Sequence, residues 1–171
     1  MALITHPYKP IYDERSKLLL IGSFPSKASR SGGFYYANPR NRFWRVLGNV
    51  FSDNSATGAM SEKIAFLLRH EIALWDVAAQ CDSIGSLDSQ IKVAKTNDFS
   101  AIFASAKIAA VLANGTLAYT EYKKHCMHLY NVPLERIPSS SPANAAYSLE
   151  RLASEWAGAI GRYIKIPDSQ P

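Results

Sequence analysis

Four aliphatic residues in a row, Leu18-Leu-Leu-Ile21, stop at Gly22. An apolar run this short, closed by glycine, reads as a strand buried on both faces. Such a strand needs a layer of structure above and below it, so the rest of the chain has to supply helices on two sides or further sheet. Residues 23–39 hold two prolines, two glycines and four serines without helical period, and are expected to form a long loop leaving the carboxyl end of that strand.

Beyond that loop, residues 41–51 fit a helix with Phe43, Val46, Leu47 and Val50 on one face. A loop to Met60 follows, then a helix capped by Ser61 and running to Arg69, and a second strand over residues 72–77. The polar stretch 82–89, with Gly85, reads as a loop. Residues 108–112 read as a third strand ending at Asn114-Gly115, with a helix from Thr116 to about His128 behind it. A weaker fourth strand is expected at 136–138. The apolar stripe 149, 152, 156, 160 and 163 marks a last helix, for which Ser141 is the expected cap and Pro142 the first residue. The sum is one α/β domain over 1–171, a central, mostly parallel sheet flanked by helices, with 166–171 a frayed tail. In such sheets ligands bind beyond the carboxyl ends of the strands, so the loops after Gly22, Asp76, Asn114 and Pro138 should meet in one crevice.

Charge is unevenly placed. The net charge is +5, yet residues 1–50 hold eight Lys and Arg against two acids, a balance of +6, and the remaining residues sum to −1. Between Leu18 and Val50 the basic set is Lys27, Arg30, Arg40, Arg42 and Arg45 with no acid, interleaved with Phe34, Tyr35, Tyr36, Phe43 and Trp44. Cations among aromatics suit phosphates and stacked bases, which makes nucleic acid the expected partner. Two cysteines, Cys81 and Cys126, cannot build a disulfide framework or ligate a four-cysteine iron–sulfur cluster. The four histidines show no metal spacing, and neither a Walker loop, a dinucleotide fingerprint nor a Gly-x-Ser-x-Gly elbow is present. No cofactor and no metal is expected. No stretch reads as a targeting or membrane-spanning segment, so a cytoplasmic protein is expected, and a monomer suits one that scans nucleic acid.

The candidate chemistry lies in the four loops. Asn38 and Asn41 flank Arg40; an amide cannot abstract a proton as a carboxylate does, but Asn41 could orient a water or donate to charge developing on a leaving group, or simply cap the helix that follows. Asp76 is a lone carboxylate among apolar neighbours and needs a partner. In a base pocket it would accept from an imide-like N–H such as N1–H of hypoxanthine, and repel the unprotonated N1 of adenine. Ser139, Ser140 and Ser141 offer hydroxyls before a helix start, a natural anion site.

Taken in order, Gly22-Ser-Phe-Pro-Ser26, Phe34-Tyr-Tyr-Ala-Asn-Pro-Arg-Asn-Arg-Phe-Trp44, Leu74-Trp-Asp-Val77, Asn114-Gly115 and Pro138-Ser-Ser-Ser-Pro-Ala-Asn144 resemble the uracil-DNA glycosylase superfamily, most closely its hypoxanthine-DNA glycosylase branch. That resemblance implies a three-layer fold around a four-stranded parallel sheet, and hydrolysis of the N-glycosidic bond of a deaminated base flipped out of DNA. It places Gly22, Ser23, Phe24, Pro25 and Ser26 on the water-activating loop, with Phe24 where uracil enzymes carry Asp or Asn. It makes Asn41 the catalytic amide, and it sets Asn38 where the branch often has histidine. Asp76 would read the base edge, beside Phe24 and Asn114, and one of Phe34, Tyr35 or Tyr36 would stack on the base. Arg40, Arg42, Ser139, Ser140, Ser141 and Asn144 would hold the DNA backbone. The residues alone do not choose among hypoxanthine, xanthine, uracil and alkylated bases. A module that binds damaged or single-stranded nucleic acid without catalysis remains the alternative, because Phe24 removes the usual activating carboxylate.

Overall fold

In a computed structural model that describes residues 3–83 and 91–168, the Leu18–Ile21 run is the strand on which the fold is built. The strands are β1 (Leu3–Thr5), β2 (Leu18–Gly22), β3 (Ile72–Asp76), β4 (Ala78–Ser83), β5 (Ile91–Thr96), β6 (Ala110–Asn114) and β7 (Leu134–Ile137). The helices are α1 (Lys27–Gly32), α2 (Phe43–Phe51), α3 (Met60–Arg69), α4 (Ser100–Ser105), α5 (Thr116–His125) and α6 (Leu149–Ile160). One sheet has four parallel strands in the order β3-β2-β6-β7, with Leu18 opposite Ile72 on one side and Ala110 on the other. All five residues of β2 are buried, as a strand with neighbours on both edges and layers on both faces must be.

The period-two alternation of β2 divides the core. Leu18 and Leu20 join Phe43, Leu47, Phe66 and Trp156 under α2, α3 and α6, whereas Leu19 and Ile21 join Phe99, Ile102, Tyr122 and Cys126 under α4 and α5. Trp156 is wholly buried and its indole N–H donates to Pro138 O at 2.9 Å, so α6 is tied to the loop that leaves β7. No helix among the described residues is long and apolar enough to cross a membrane.

Several local expectations need correction. Residues 27–32 are helical, with Ser26 accepting from Ser29 N–H at the start and Gly33 closing the end at φ 78°. Helix α3 begins one residue before Ser61; its first turn is closed by the Glu62 carboxylate, which accepts from Ala59 N–H at 2.8 Å. Helix α5 ends at His125 and a 3₁₀ turn takes over at Met127–Leu129. The last helix starts at Leu149 with Ser148 as its cap, not at Pro142. A second, antiparallel sheet in the order β1-β4-β5 was not expected. Strand β4 continues directly from β3, Val77 N–H donating to Gly22 O at 2.9 Å and Ala78 N–H to Ser23 O at 3.0 Å. The expected loop at 82–89 falls mostly outside the described residues, although Asp82 and Ser83 belong to β4. Of the expected tail, 166–168 has no regular structure and the rest is not described.

Away from the carboxyl ends of the sheet, Asp53 joins α2 to α3. Its Oδ2 accepts from Arg69 at 2.7 Å and from His70 Nε2 at 2.9 Å, and Oδ1 accepts from the Ser55 hydroxyl at 2.7 Å. Burial alone would raise this carboxyl, but the hydrogen bonds from Ser55, Arg69 and His70 outweigh it and hold it well below the usual carboxylate range. A carboxylate depressed on folding contributes stability above its unfolded value, and that contribution is lost as the pH falls below about 4. Thermal unfolding across an acid pH series should therefore show a falling melting temperature, with a shallower acid slope in Asp53→Asn.

Candidate active site

The carboxyl ends of β2, β3, β6 and β7 open onto one cavity of about 740 Å³. Gly22, Ser23, Phe24, Pro25 and Ser26 line it, together with Tyr35, Tyr36, Asn38, Arg40, Asn41, Asp76, Asn114 and residues 139–143. The four loops read from the sequence do meet, and they bring most of the candidate residues to one place. Phe34, Arg42 and Asn144 are not among the lining residues.

Asp76 has the partner that a buried carboxylate requires. His6 Nε2 lies 2.7 Å from Asp76 Oδ2, and the two side chains are 3% and 4% exposed. Nδ1 rests against the backbone of Tyr8, 3.1 Å from its nitrogen and 3.0 Å from its carbonyl oxygen. With Nδ1 accepting from Tyr8 N–H, Nε2 carries the ring hydrogen and donates it to Asp76. Phe24, Tyr8 and Tyr35 close around the imidazole, with Phe24 edge-on at 5.7 Å. Gly22 is required by this packing, because a Cβ there would stand 2.4 Å from Asp76 Oδ1 and 2.5 Å from the Tyr36 hydroxyl. The sequence reading missed His6; the lone acid signalled that a partner existed, but nothing local pointed to a histidine seventy residues away.

The aromatic residues separate by role. Phe34 stacks on Trp44, with ring centroids 5.8 Å apart, and packs against the core, which removes it from the base-stacking candidates. Tyr35 is buried, its hydroxyl donates to Lys9 O at 2.8 Å, and burial pushes its phenol far up. Tyr36 sits in the left-handed region at φ 53° with one face stacked on Phe43 at 3.9 Å. Phe24 lies in the cavity wall with the Arg30 guanidinium 5.6 Å from its ring centroid.

The basic and hydroxyl groups separate as well. Lys27 and Arg40 are exposed at the cavity. Arg42 is turned inward: its guanidinium donates to Ser141 O and Asn144 O, each at 2.9 Å, and to Tyr147 O. Five fixed donors make arginine suited to gathering several carbonyls, and here they fasten residues 139–148 to the start of α2 rather than reaching outward for phosphate. Ser140 is fully buried, so it cannot touch a DNA backbone. The Ser139 hydroxyl accepts from Ser141 N–H and the Ser141 hydroxyl from Ala143 N–H, which makes this loop self-bonded rather than a helix start. Asn144 donates to Ser139 O at 3.0 Å in the same loop.

Asn41 follows a tight turn in which its N–H donates to Asn38 O and Arg40 N–H to the Asn38 side chain. Its Oδ1 accepts from Phe43 N–H and from the Ser140 hydroxyl, both at 2.9 Å. Helix α2 begins at Phe43, two residues later than expected, with Arg42 and not Asn41 at its cap position; Asn41 Oδ1 ties the turn that precedes the helix while the side chain lines the cavity.

Known proteins share the fold that carries this cavity. Residues 9–160 match the uracil DNA glycosylase superfamily. Two curated relatives, each named hypoxanthine DNA glycosylase, come from Methanosarcina acetivorans and Methanosarcina barkeri. The first is 34% identical over 90% of this chain and 96% of its own length, the second 32% identical over 91% and 97%. A solution NMR structure of a candidate uracil DNA glycosylase from Methanosarcina acetivorans superposes with a TM-score of 0.79 at 32% identity, covering 94% of this chain and 98% of that one. With the parallel sheet, the converging loops and matches that run the length of the described fold, the chain belongs to the uracil DNA glycosylase superfamily.

Proposed function

We propose that this protein is a monofunctional DNA glycosylase that removes hypoxanthine from DNA, acting on a nucleotide flipped into the cavity. The observation that carries the reading is the meeting of Asn41, Asp76, Phe24 and Asn114 in one cavity of a chain 34% identical to a hypoxanthine DNA glycosylase. The volume lies in the range of pockets that enclose a small molecule. Flipping is required because the glycosidic bond cannot be engaged inside the stack, and a mispaired deaminated base costs less to extrude.

In the reaction, the C1′–N9 bond breaks with its electron pair leaving on the base. Water adds at C1′, and its proton ends on the base, giving free hypoxanthine and an abasic sugar. Asp76, with Oδ2 held by His6, is the residue that accepts from N1–H of the base edge. Phe24 and Tyr36 are the aromatic walls, and Asn41 acts at the reacting bond. Lys27 and Arg40 meet the backbone phosphates at the rim.

The test is release of free base from duplexes carrying hypoxanthine, xanthine or uracil. Hypoxanthine should be released in preference to uracil, and Asp76→Ala should lose that preference together with most of the rate. Duplex binding without release of any base would instead favour a non-catalytic damaged-DNA module. Phosphate contacts are tested separately. Arg40→Ala should lower the slope of log affinity against log salt by about 1, whereas Arg42→Ala should leave the slope unchanged.

A further inference from the structure

The hydrogen bonds around Asn41 have only one possible direction, because both ends of the chain are fixed by backbone amides that can only donate. At one end, Ser140 N–H donates to the Asn114 side chain at 3.0 Å, so the atom it meets is Oδ1. Asn114 Nδ2 is then the atom 2.9 Å from Ser140 Oγ and 3.2 Å from the Tyr36 hydroxyl, and it donates to both. With Ser140 Oγ already accepting, its hydrogen is directed at Asn41, 2.9 Å away. At the other end, Phe43 N–H donates to the same Asn41 atom at 2.9 Å. Two donors converge on that atom, so it is Oδ1, and its acceptor capacity is taken up. Ser140 is fully buried, so no competing water reorients its hydroxyl.

From this polarity we infer that Asn41 acts on the substrate only as a hydrogen-bond donor, through Nδ2, and that Ser140 and Asn114 are positioning residues that hold it in that orientation. The inference rests on the glycosylase reading and decides between the two roles open to the amide. A water to be activated would need an acceptor for its proton, and Oδ1 is already occupied. A departing purine gains negative charge, and an N–H aimed at one of its acceptor atoms stabilises that charge as it develops. The ionisable groups sharing the cavity are Lys27, Tyr35, Tyr36, Arg40 and Asp76.

Asn41→Asp separates the roles, because the aspartate keeps the size and the two structural contacts but replaces the Nδ2 donor with a carboxylate oxygen. Single-turnover release of hypoxanthine at neutral pH should fall to about the level of Asn41→Ala, about 100-fold below the unaltered protein. Relative to the unaltered protein at each pH, the rate of Asn41→Asp should recover as the pH is lowered and the carboxyl gains an O–H, while Asn41→Ala shows no recovery. Ser140→Ala, with duplex affinity unchanged, should slow release about 10-fold by freeing the amide to turn. Asn41→Asp that keeps or exceeds the original rate at neutral pH would overturn the inference and make the residue a water-orienting acceptor. Failure of the unaltered protein to release hypoxanthine would instead overturn the glycosylase reading beneath it.

Discussion

Replacing His6 by alanine should lower stability by about 3–5 kcal/mol, because it leaves the Asp76 carboxylate buried without its partner. For a chain of this size that corresponds to a melting temperature lower by roughly 10 °C. The pair also joins β1-side backbone to the end of β3, so its loss loosens the cavity wall that Phe24, Tyr8 and Tyr35 form around the imidazole. A double replacement, His6→Ala with Asp76→Ala, removes the orphaned charge together with its partner and should be no less stable than His6→Ala alone. Calorimetry on the two single variants and the double variant checks this. Strongly additive losses would show that the two residues act through packing rather than through each other.

Asn41→Ala should reduce the rate of base release by about 10²–10³-fold, the usual consequence of losing one preorganised donor at developing charge. Stability should change much less, since the alanine gives up only the hydrogen bonds accepted from Phe43 N–H and the Ser140 hydroxyl, each worth about 1 kcal/mol. Duplex affinity should be nearly unchanged, because the cations at the rim remain in place. That split between rate and binding distinguishes a residue acting at the reacting bond from one that merely shapes the cavity.

Much of this arrangement is legible in the sequence, for reasons that can be named. Leu18–Gly22 is recognisable because burial on both faces leaves an uninterrupted aliphatic run, and the same signal finds the strands ending at Asp76 and Asn114. Their carboxyl ends then fix where Asn41, Asp76, Asn114 and Ser139 must meet. Strands β1, β4 and β5 carry no comparable signal. Strand β1 has three residues, β4 reads Ala-Ala-Gln-Cys-Asp-Ser, and β5 alternates weakly around two lysines. Their pairing is decided by contacts between distant parts of the chain, such as Leu3 with Asp82.

The errors share one cause, which is that local chemistry permits a role that long-range partners then reassign. Ser141-Pro142 has the composition of a helix start, yet Arg42 gathers the carbonyls of that segment and the helix waits for Ser148. Arg42 itself has the look of a phosphate ligand from its position between aromatics, but three carbonyls of a loop a hundred residues on engage it. Phe34 sits beside Tyr35 and Tyr36 in sequence and away from the cavity in space, drawn to Trp44. Pairing with His6 could be anticipated in kind, since a buried acid demands a donor, but not in identity.

The most direct measurement is a single-turnover assay on an end-labelled duplex with one hypoxanthine, treated with hot alkali to cut abasic sites, comparing the unaltered protein with Asn41→Ala. Cleavage at the hypoxanthine with the unaltered protein, reduced at least about 100-fold in Asn41→Ala at equal duplex occupancy, is the predicted result. Equal cleavage by the two proteins would contradict the assignment of Asn41, and no cleavage by the unaltered protein bound to the duplex would contradict the activity itself.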